Sequence, residues 1–239
     1  MVQPHWLAML CALLMVLATH LALVLNWLSP GEGLAPEFRC TPYWDGCMSI
    51  SRAVRSGPGL LLFRALMLPT AALLAWTWLQ TGNWLALLRP TGGARARSIA
   101  ATGCLGALFL LLYVGWLGSE GAWYGWLRRY GVVFYFGLTA LAQLLLVHAL
   151  WPIRRVAAAR PLGGPLHALF ALVCLQWLAG VLSVAKRLLL TDAALIDRIE
   201  NIIEWWFALA LATAFLAVGE LLRRSGYRLG PRPGPGQDR

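Results

Sequence analysis

Six runs of apolar residues, near positions 5 to 29, 58 to 80, 99 to 118, 131 to 152, 165 to 187 and 200 to 222, take up most of the 239-residue chain. A helix needs about 20 such residues to cross a bilayer, because inside hydrocarbon every backbone amide must be bonded within its own segment. The runs therefore predict an all-α polytopic membrane protein: six transmembrane helices forming one domain over 1 to 222, with no room for a soluble domain. Composition agrees, with 59% hydrophobic residues, 13% charged residues and a mean hydropathy of +0.66, well outside the soluble range. The first run, HWLAMLCALLMVLATHLALVLNWL, is expected to remain as a helix. It lacks a positive n-region and exceeds the roughly 7 to 15 residues of a signal-peptide core.

Arginine asymmetry sets the expected orientation. The connections after the second and fourth runs and the C-terminal segment carry Arg89, Arg95, Arg97, Arg154, Arg155, Arg160, Arg223, Arg224, Arg228, Arg232 and Arg239, with Asp238 as their acid. In the other three connections the basic residues are accompanied by Glu32, Glu37, Asp45, Glu120, Asp192, Asp197 and Glu200. Both termini are thus expected in the cytoplasm, with an outer loop over 30 to 57. The net charge of +10 follows from this topology, so nucleic acid is not expected as a partner. Residues 223 to 239 include the Pro- and Gly-rich stretch SGYRLGPRPGPGQDR and read as a disordered basic cytoplasmic tail. Tryptophans near the ends of the runs, among them Trp27, Trp84, Trp116, Trp151 and Trp206, read as interfacial anchors. The segment EGAWYGWLRRYG is expected to lie along the outer interface.

Of the five cysteines, Cys11, Cys104 and Cys174 fall inside apolar runs, where a thiol behaves as a small hydrophobe. Cys40 and Cys47 share the outer loop EFRCTPYWDGCMS, in a compartment that permits oxidation, and the intervening TPYWDG contains turn formers. A Cys40–Cys47 disulfide is expected, with two free thiols as the alternative. No metal site is expected, since a structural zinc needs four ligands and the loop offers no further cysteine or histidine.

The intramembrane charges Arg64 and Glu204 require explanation, because an unpaired charge in hydrocarbon costs at least a few kcal/mol. In the expected topology both lie a short way below the outer ends of their helices, roughly 9 Å past Pro58 and roughly 6 Å past Glu200. A direct or water-bridged ion pair between them is the economical arrangement. It could be a structural brace, the two could snorkel to the headgroups, or they could line a polar pocket for a lipid headgroup or proton transfer. His20 and Asn26, with Lys186 and Arg187, belong to the same outer layer, whereas Gln143 and Gln176 read as interhelical hydrogen-bonding residues. Ser49 and Ser51, near Arg52, read as caps of the second helix or of a short helix before it. Zinc-protease, nucleophile-elbow, phosphate-loop and CxxC signatures are absent, and no cofactor is expected.

The stretch CMSISRAVRSGPGLLLFRALM, a polar SIS segment and a Gly-Pro ahead of Phe-Arg, resembles the hallmark of the FRAG/DRAM/SFK family of six-helix membrane proteins. The pair Glu204-Trp205 resembles that family's glutamate-tryptophan motif. Family members serve in GPI-anchor lipid remodelling, autophagy and phosphoinositide-linked lipid regulation. The resemblance implies a shared outer-leaflet site built from Ser49, Ser51, Pro58, Phe63, Arg64, Glu204 and Trp205. The basic residues are arginines except Lys186, and Ala, Gly and Leu abound, which reads as GC-rich coding. The chain is thus expected in a bacterial inner membrane, where a GPI substrate has no place.

Two functions fit these observations. The first is a lipid-binding or lipid-regulating membrane protein with a polar outer-leaflet site around Arg64, Glu204, Trp205, Ser49, Ser51 and Arg52, membrane lipids being its partners. The second is an enzyme remodelling a lipid acyl or headgroup bond, with Glu204 as general base, Arg64 stabilising charge and His20 as a further catalytic candidate.

Overall fold

The structure, a computed structural model, describes residues 3–29, 39–88, 92–155 and 161–228. Of the expected disordered tail over 223 to 239, Arg223 and Arg224 instead close the last helix, and the part from 229 onward, like the outer-loop residues 30–38, lies outside the described residues. The elements in chain order are α1 (His5–Leu28), α2 (Pro42–Asp45), α3 (Ile50–Ala53), α4 (Gly57–Leu88), α5 (Gly93–Trp116), α6 (Ala122–Leu150), a 3-10 turn (Trp151–Arg155), α7 (Gly163–Leu189) and α8 (Ala193–Arg224). No strand occurs among the described residues. Six of the helices, α1, α4, α5, α6, α7 and α8, are long and apolar enough to cross a membrane, as the six runs predict.

Four helices extend beyond their apolar runs: α5, which begins at Gly93 rather than near 99, and α4, α6 and α8, these three each for a local reason. α4 continues through Gln80–Leu88 because its polar residues find partners: the Thr81 hydroxyl bonds the Thr77 carbonyl at 2.8 Å and Gln80 accepts from Tyr227 at 3.2 Å. α6 begins at Ala122, so much of the EGAWYGWLRRYG segment forms the first turns of that helix rather than an interfacial loop. α8 begins at Ala193, about two turns early, because the Asp192 carboxylate accepts from the amides of Ala194 and Leu195 at 2.9 and 3.3 Å, capping two orphan donors.

The spanning helices form a ring in the order α1, α4, α5, α6, α7, α8, with α8 returning to α1. Small residues allow the close approaches. A Cβ at Gly59 would lie 2.5 Å from the Ala22 carbonyl and from Asn26 Nδ2, and one at Gly103 would lie 2.2 Å from the Trp78 ring. The seam between α6 and α7 is the short one. These two helices touch through Gln143 and Gln176 at mid-span and through Trp151 and Phe170 near the far end, with ring centroids 4.6 Å apart. Toward the end that carries residues 39–56, here called the loop end, they diverge.

Asn26 joins α1 to that loop: its Nδ2 donates to Ala53 and Ser56 carbonyls at 2.9 and 3.0 Å, and its Oδ1 accepts from Gly59 N at 2.8 Å. The expected outcome for Gly59→Ala is a loss of about 1–3 kcal/mol, since the methyl displaces this junction. Gly93→Ala, where a Cβ meets nothing within 4 Å, leaves the melting temperature unchanged or raised. Thermal unfolding of the detergent-solubilised variants checks both.

Candidate functional site

The polar groups of the loop end are organised by α8. Its residues 198 to 206 present a row of side chains to the main chain of residues 43–50. Arg198 Nε donates to the Asp45 carbonyl (2.8 Å), Asn201 Nδ2 to Gly46 (2.9 Å), Trp205 Nε1 to Met48 (3.0 Å) and Trp206 Nε1 to Tyr43 (3.1 Å). Glu204 Oε1 accepts from the amide of Ile50 at 3.2 Å, with the Ser51 amide directed at the same carboxylate. These two amides open α3, where the first-turn donors have no partner within the helix. Ser49 caps the same short helix, its hydroxyl accepting from Arg52 N at 3.2 Å, so the reading of Ser49 as a cap holds. Gly46, at φ +61°, ends α2 and lets the chain run against α8 where a Cβ would lie 2.3 Å from the Arg198 carbonyl. The loop is closed by the Cys40–Cys47 disulfide, with Cα atoms 6.5 Å apart, as the spacing and compartment suggested.

The expected Arg64–Glu204 ion pair is not formed. Arg64 Nη2 instead donates to the carbonyls of Gly115 and Leu117 at 3.1 and 2.5 Å, where the C-terminal carbonyls of α5 lack intrahelical partners and favour a cation. Each charge thus serves a helix end: Arg64 the C-terminus of α5, Glu204 the N-terminus of α3. Arg52 Nη2 donates to both carboxylate oxygens of Asp197, at 3.0 and 3.1 Å, in an exposed ion pair. Lys186, buried at the end of α7, pairs with Glu200, which also accepts from the Ser183 hydroxyl.

Beneath the loop, a cavity of about 40 Å³ is lined by Thr19, His20, Tyr43, Tyr113, Tyr135 and Glu204 among apolar side chains. That is room for an ordered water or two. His20 Nδ1 faces the Val16 carbonyl at 2.7 Å, which only an N–H can satisfy, so Nε2 is the acceptor and Tyr43 O–H donates to it at 2.9 Å. Burial raises the Tyr43 phenol above its ordinary range and keeps it in this donor role. Trp205 stands edge-on to both rings, at 5.7 Å from His20 and 5.4 Å from Tyr43. The buried Tyr113 hydroxyl faces the Ser51 hydroxyl, and the Glu204 carboxylate is its electrostatic neighbour.

On the other side of Glu204 lies a larger space, for which the residue pattern carries no signature. Where α6 and α7 diverge, a groove of about 480 Å³ runs along α8, within the range of small-molecule sites. Its walls are apolar, among them Val133, Phe136, Trp177 and Phe207. Its polar groups are Ser51, Ser183, Glu200 and Glu204 toward the loop and Gln176 at mid-span. Gln176 donates to Gln143 at 2.9 Å and Gln143 to the Leu211 carbonyl at 3.2 Å, so the two glutamines are interhelical, as read from the sequence. Glu204 borders both the cavity and the groove.

Of the candidate residues, Glu204, Trp205, His20 and Ser51 are brought together, Ser49 and Arg52 support the loop, and Arg64 belongs to a different contact. Among the described residues no group of three or more His, Cys, Asp or Glu side chains could hold a metal. No family model, curated protein or solved structure matches the chain.

Because Gln keeps the acceptor that Ile50 needs, Glu204→Gln should cost little stability, whereas Glu204→Leu should cost about 1–3 kcal/mol by orphaning a buried amide. Arg64→Ala should cost a similar amount through the α5 carbonyls. Since Arg64 and Glu204 share no partner, the double variant should be additive within about 0.5 kcal/mol. A coupling well above that in a thermal double-mutant cycle would restore the ion pair.

Proposed function

We propose that this chain is a lipid-binding integral membrane protein, in which the groove between α6, α7 and α8 receives the acyl portion of a membrane lipid. The observation that carries this reading is a groove of about 480 Å³ with apolar walls and polar groups concentrated at one end, the amphipathic profile of a lipid. Its flanks belong to the outside of the ring: Val133, Trp177 and Gly180 are exposed, so the groove opens sideways toward the acyl phase. Ser51, Ser183 and Glu200 then meet the headgroup region. Arginine asymmetry supports a non-cytoplasmic position for this end, the outer leaflet of a bacterial inner membrane, with both termini inside. The two motifs resembling the FRAG/DRAM/SFK family lend support of their own, because they are physical partners here. The amide of Ile50, in the SIS segment, and the carbonyl of Met48 just before it bind Glu204 and Trp205 respectively.

The second reading, an enzyme acting on a lipid bond, draws on one observation. Glu204 separates the groove from a polar cavity holding the His20–Tyr43 pair, so a water in the cavity would stand next to a carboxylate able to take its proton.

Gly180 lines the groove and a Cβ there would meet nothing within 4 Å, so a larger side chain fills the groove without clashing with the protein. Gly180→Trp is expected to reduce copurifying lipid by about tenfold or more at unchanged or higher melting temperature. Lipid extraction and quantification per mole of protein checks this, and full retention of lipid in a folded Gly180→Trp would rule the groove out.

A further inference from the structure

At the loop end of the bundle, Lys186 and Arg52 each hold a carboxylate, Glu200 and Asp197 respectively. Among the described residues Arg187 and Arg198 on α7 and α8 hold none, nor do Arg55, Arg64 and Arg128 on the α4–α5–α6 side. Arg55 Nη2 donates to the Ser51 hydroxyl at 3.1 Å, Arg64 Nη2 to the Gly115 and Leu117 carbonyls, and Arg128 Nη1 to the Ser119 carbonyl. Arg64 and Arg128 bond carbonyls at and just before the turn of residues 117–121 between α5 and α6, and the main chain of Arg55 lies against the same turn at Gly118. Gly118, at φ +84°, makes the convergence possible: a Cβ there would lie 2.6 Å from Leu60 Cδ2 and 2.9 Å from the Arg55 carbonyl. Arg55 and Arg128 both lie within electrostatic reach of the Tyr113 hydroxyl, which the bundle buries beside them. Glu120, the acid of the turn, is exposed and pairs with none of the three.

Neutral oxygens position these guanidinium groups without neutralising them. Each has five N–H donors in a planar fork, and the bonds above occupy one nitrogen per residue. The Nε of Arg64 is buried with no partner at all. An anion beside guanidinium groups that hold no carboxylate gains Coulomb energy that neutral oxygens do not supply. Planar forks match phosphate oxygens bidentately, which a lysine cluster would not do. Location supplies the remaining constraint: Arg55 touches Ser51, and Ser51 lines the mouth of the groove.

We propose that Arg55 and Arg128, with the charge of Arg64 behind them, form a phosphate-binding site for the headgroup of a phospholipid whose acyl chain lies in the groove. The assignment rests on the groove reading and adds the ligand class to it: a phosphodiester lipid rather than a neutral diacyl lipid or a free fatty acid. Glu200 with Lys186 closes the opposite side of the mouth as a neutral pair, so the anion is drawn toward the arginines.

The test offers the full chain in detergent an equimolar mixture of dioleoylphosphatidylglycerol and dioleoylglycerol, which share acyl chains and differ in the phosphate, and weighs the bound lipid by native mass spectrometry. The wild type should hold the phospholipid in about tenfold excess or more. The double variant Arg55→Gln with Arg128→Gln should bring that ratio near one while holding as much dioleoylglycerol as before. The matching Arg→Lys double variant should fall between. Equal retention of both lipids by the wild type, or an unchanged preference in the Gln variant, overturns the phosphate site and leaves the groove standing. Gly180→Trp that keeps the phosphatidylglycerol preference sinks the groove reading alone. Displacement of the phospholipid by millimolar inorganic phosphate overturns the lipid as the source of the anion.

Discussion

The structure depends on satisfying the main chain of residues 39–56 at the membrane end. This segment has only two single-turn helices, so most of its carbonyls and amides lack the ladder that a spanning helix provides. The answer is side-chain satisfaction from α8, at Asp45, Gly46, Met48 and Ile50 in succession, and from Asn26 of α1 at Ala53, Ser56 and Gly59. A buried amide left unmade costs about 1–3 kcal/mol, so this row of bonds outweighs any exposed ion pair in the region. It also determines where the functional groups go. Holding Ile50 fixes Glu204, holding Tyr43 fixes the ring that bonds His20, and both border the cavity.

The groove follows from the ring of helices. α8 spends one face on the loop and α1, leaving α7 attached chiefly along α8. α6 is held by α5 through the close packing at Gly131 and Gly106, where Cβ atoms would lie 3.0 Å from Tyr113 N and 2.8 Å from the Thr139 hydroxyl. With α6 tied to one neighbour and α7 to another, the seam between them closes only at mid-span and beyond. The space that remains is bordered by Glu204 because α8 forms its floor. Polar supports of the loop and the apolar groove are thus two sides of the same helix.

Much of this was legible in the sequence. Six apolar runs gave six spanning helices because backbone satisfaction in lipid leaves no other solution for such segments. Cys40 and Cys47 were readable as a pair because turn formers separate them, and Ser49 as a cap because of its position before an apolar-rich stretch. Arg64 and Glu204 were singled out correctly as residues needing partners, and the wrong partners were assigned. Each binds a backbone group at the end of another element, and backbone groups carry no residue identity for a sequence to display. The early start of α8 was partly legible, since Asp192 stands ahead of an amphipathic turn, but low hydropathy over 193 to 199 argued against extending the span. The groove had no signature, because it arises from the divergence of two helices whose own sequences are ordinary. The basic residues at the loop end were counted against nearby acids, a balance that holds for Lys186 and Arg52 and fails for Arg55, Arg64 and Arg128.

Whether α8 holds the loop in place through the loop's main chain is read from hydrogen exchange of residues 43–56 in the intact, oxidised protein. Exchange should be slow at Ile50 and Ser51, comparable to the interior of α8, and fast at both in Glu204→Leu with the disulfide still closed. Rapid exchange across the segment in the wild type would mean that the loop is held by the Cys40–Cys47 link alone, and the placement of Glu204 between cavity and groove would fall with it.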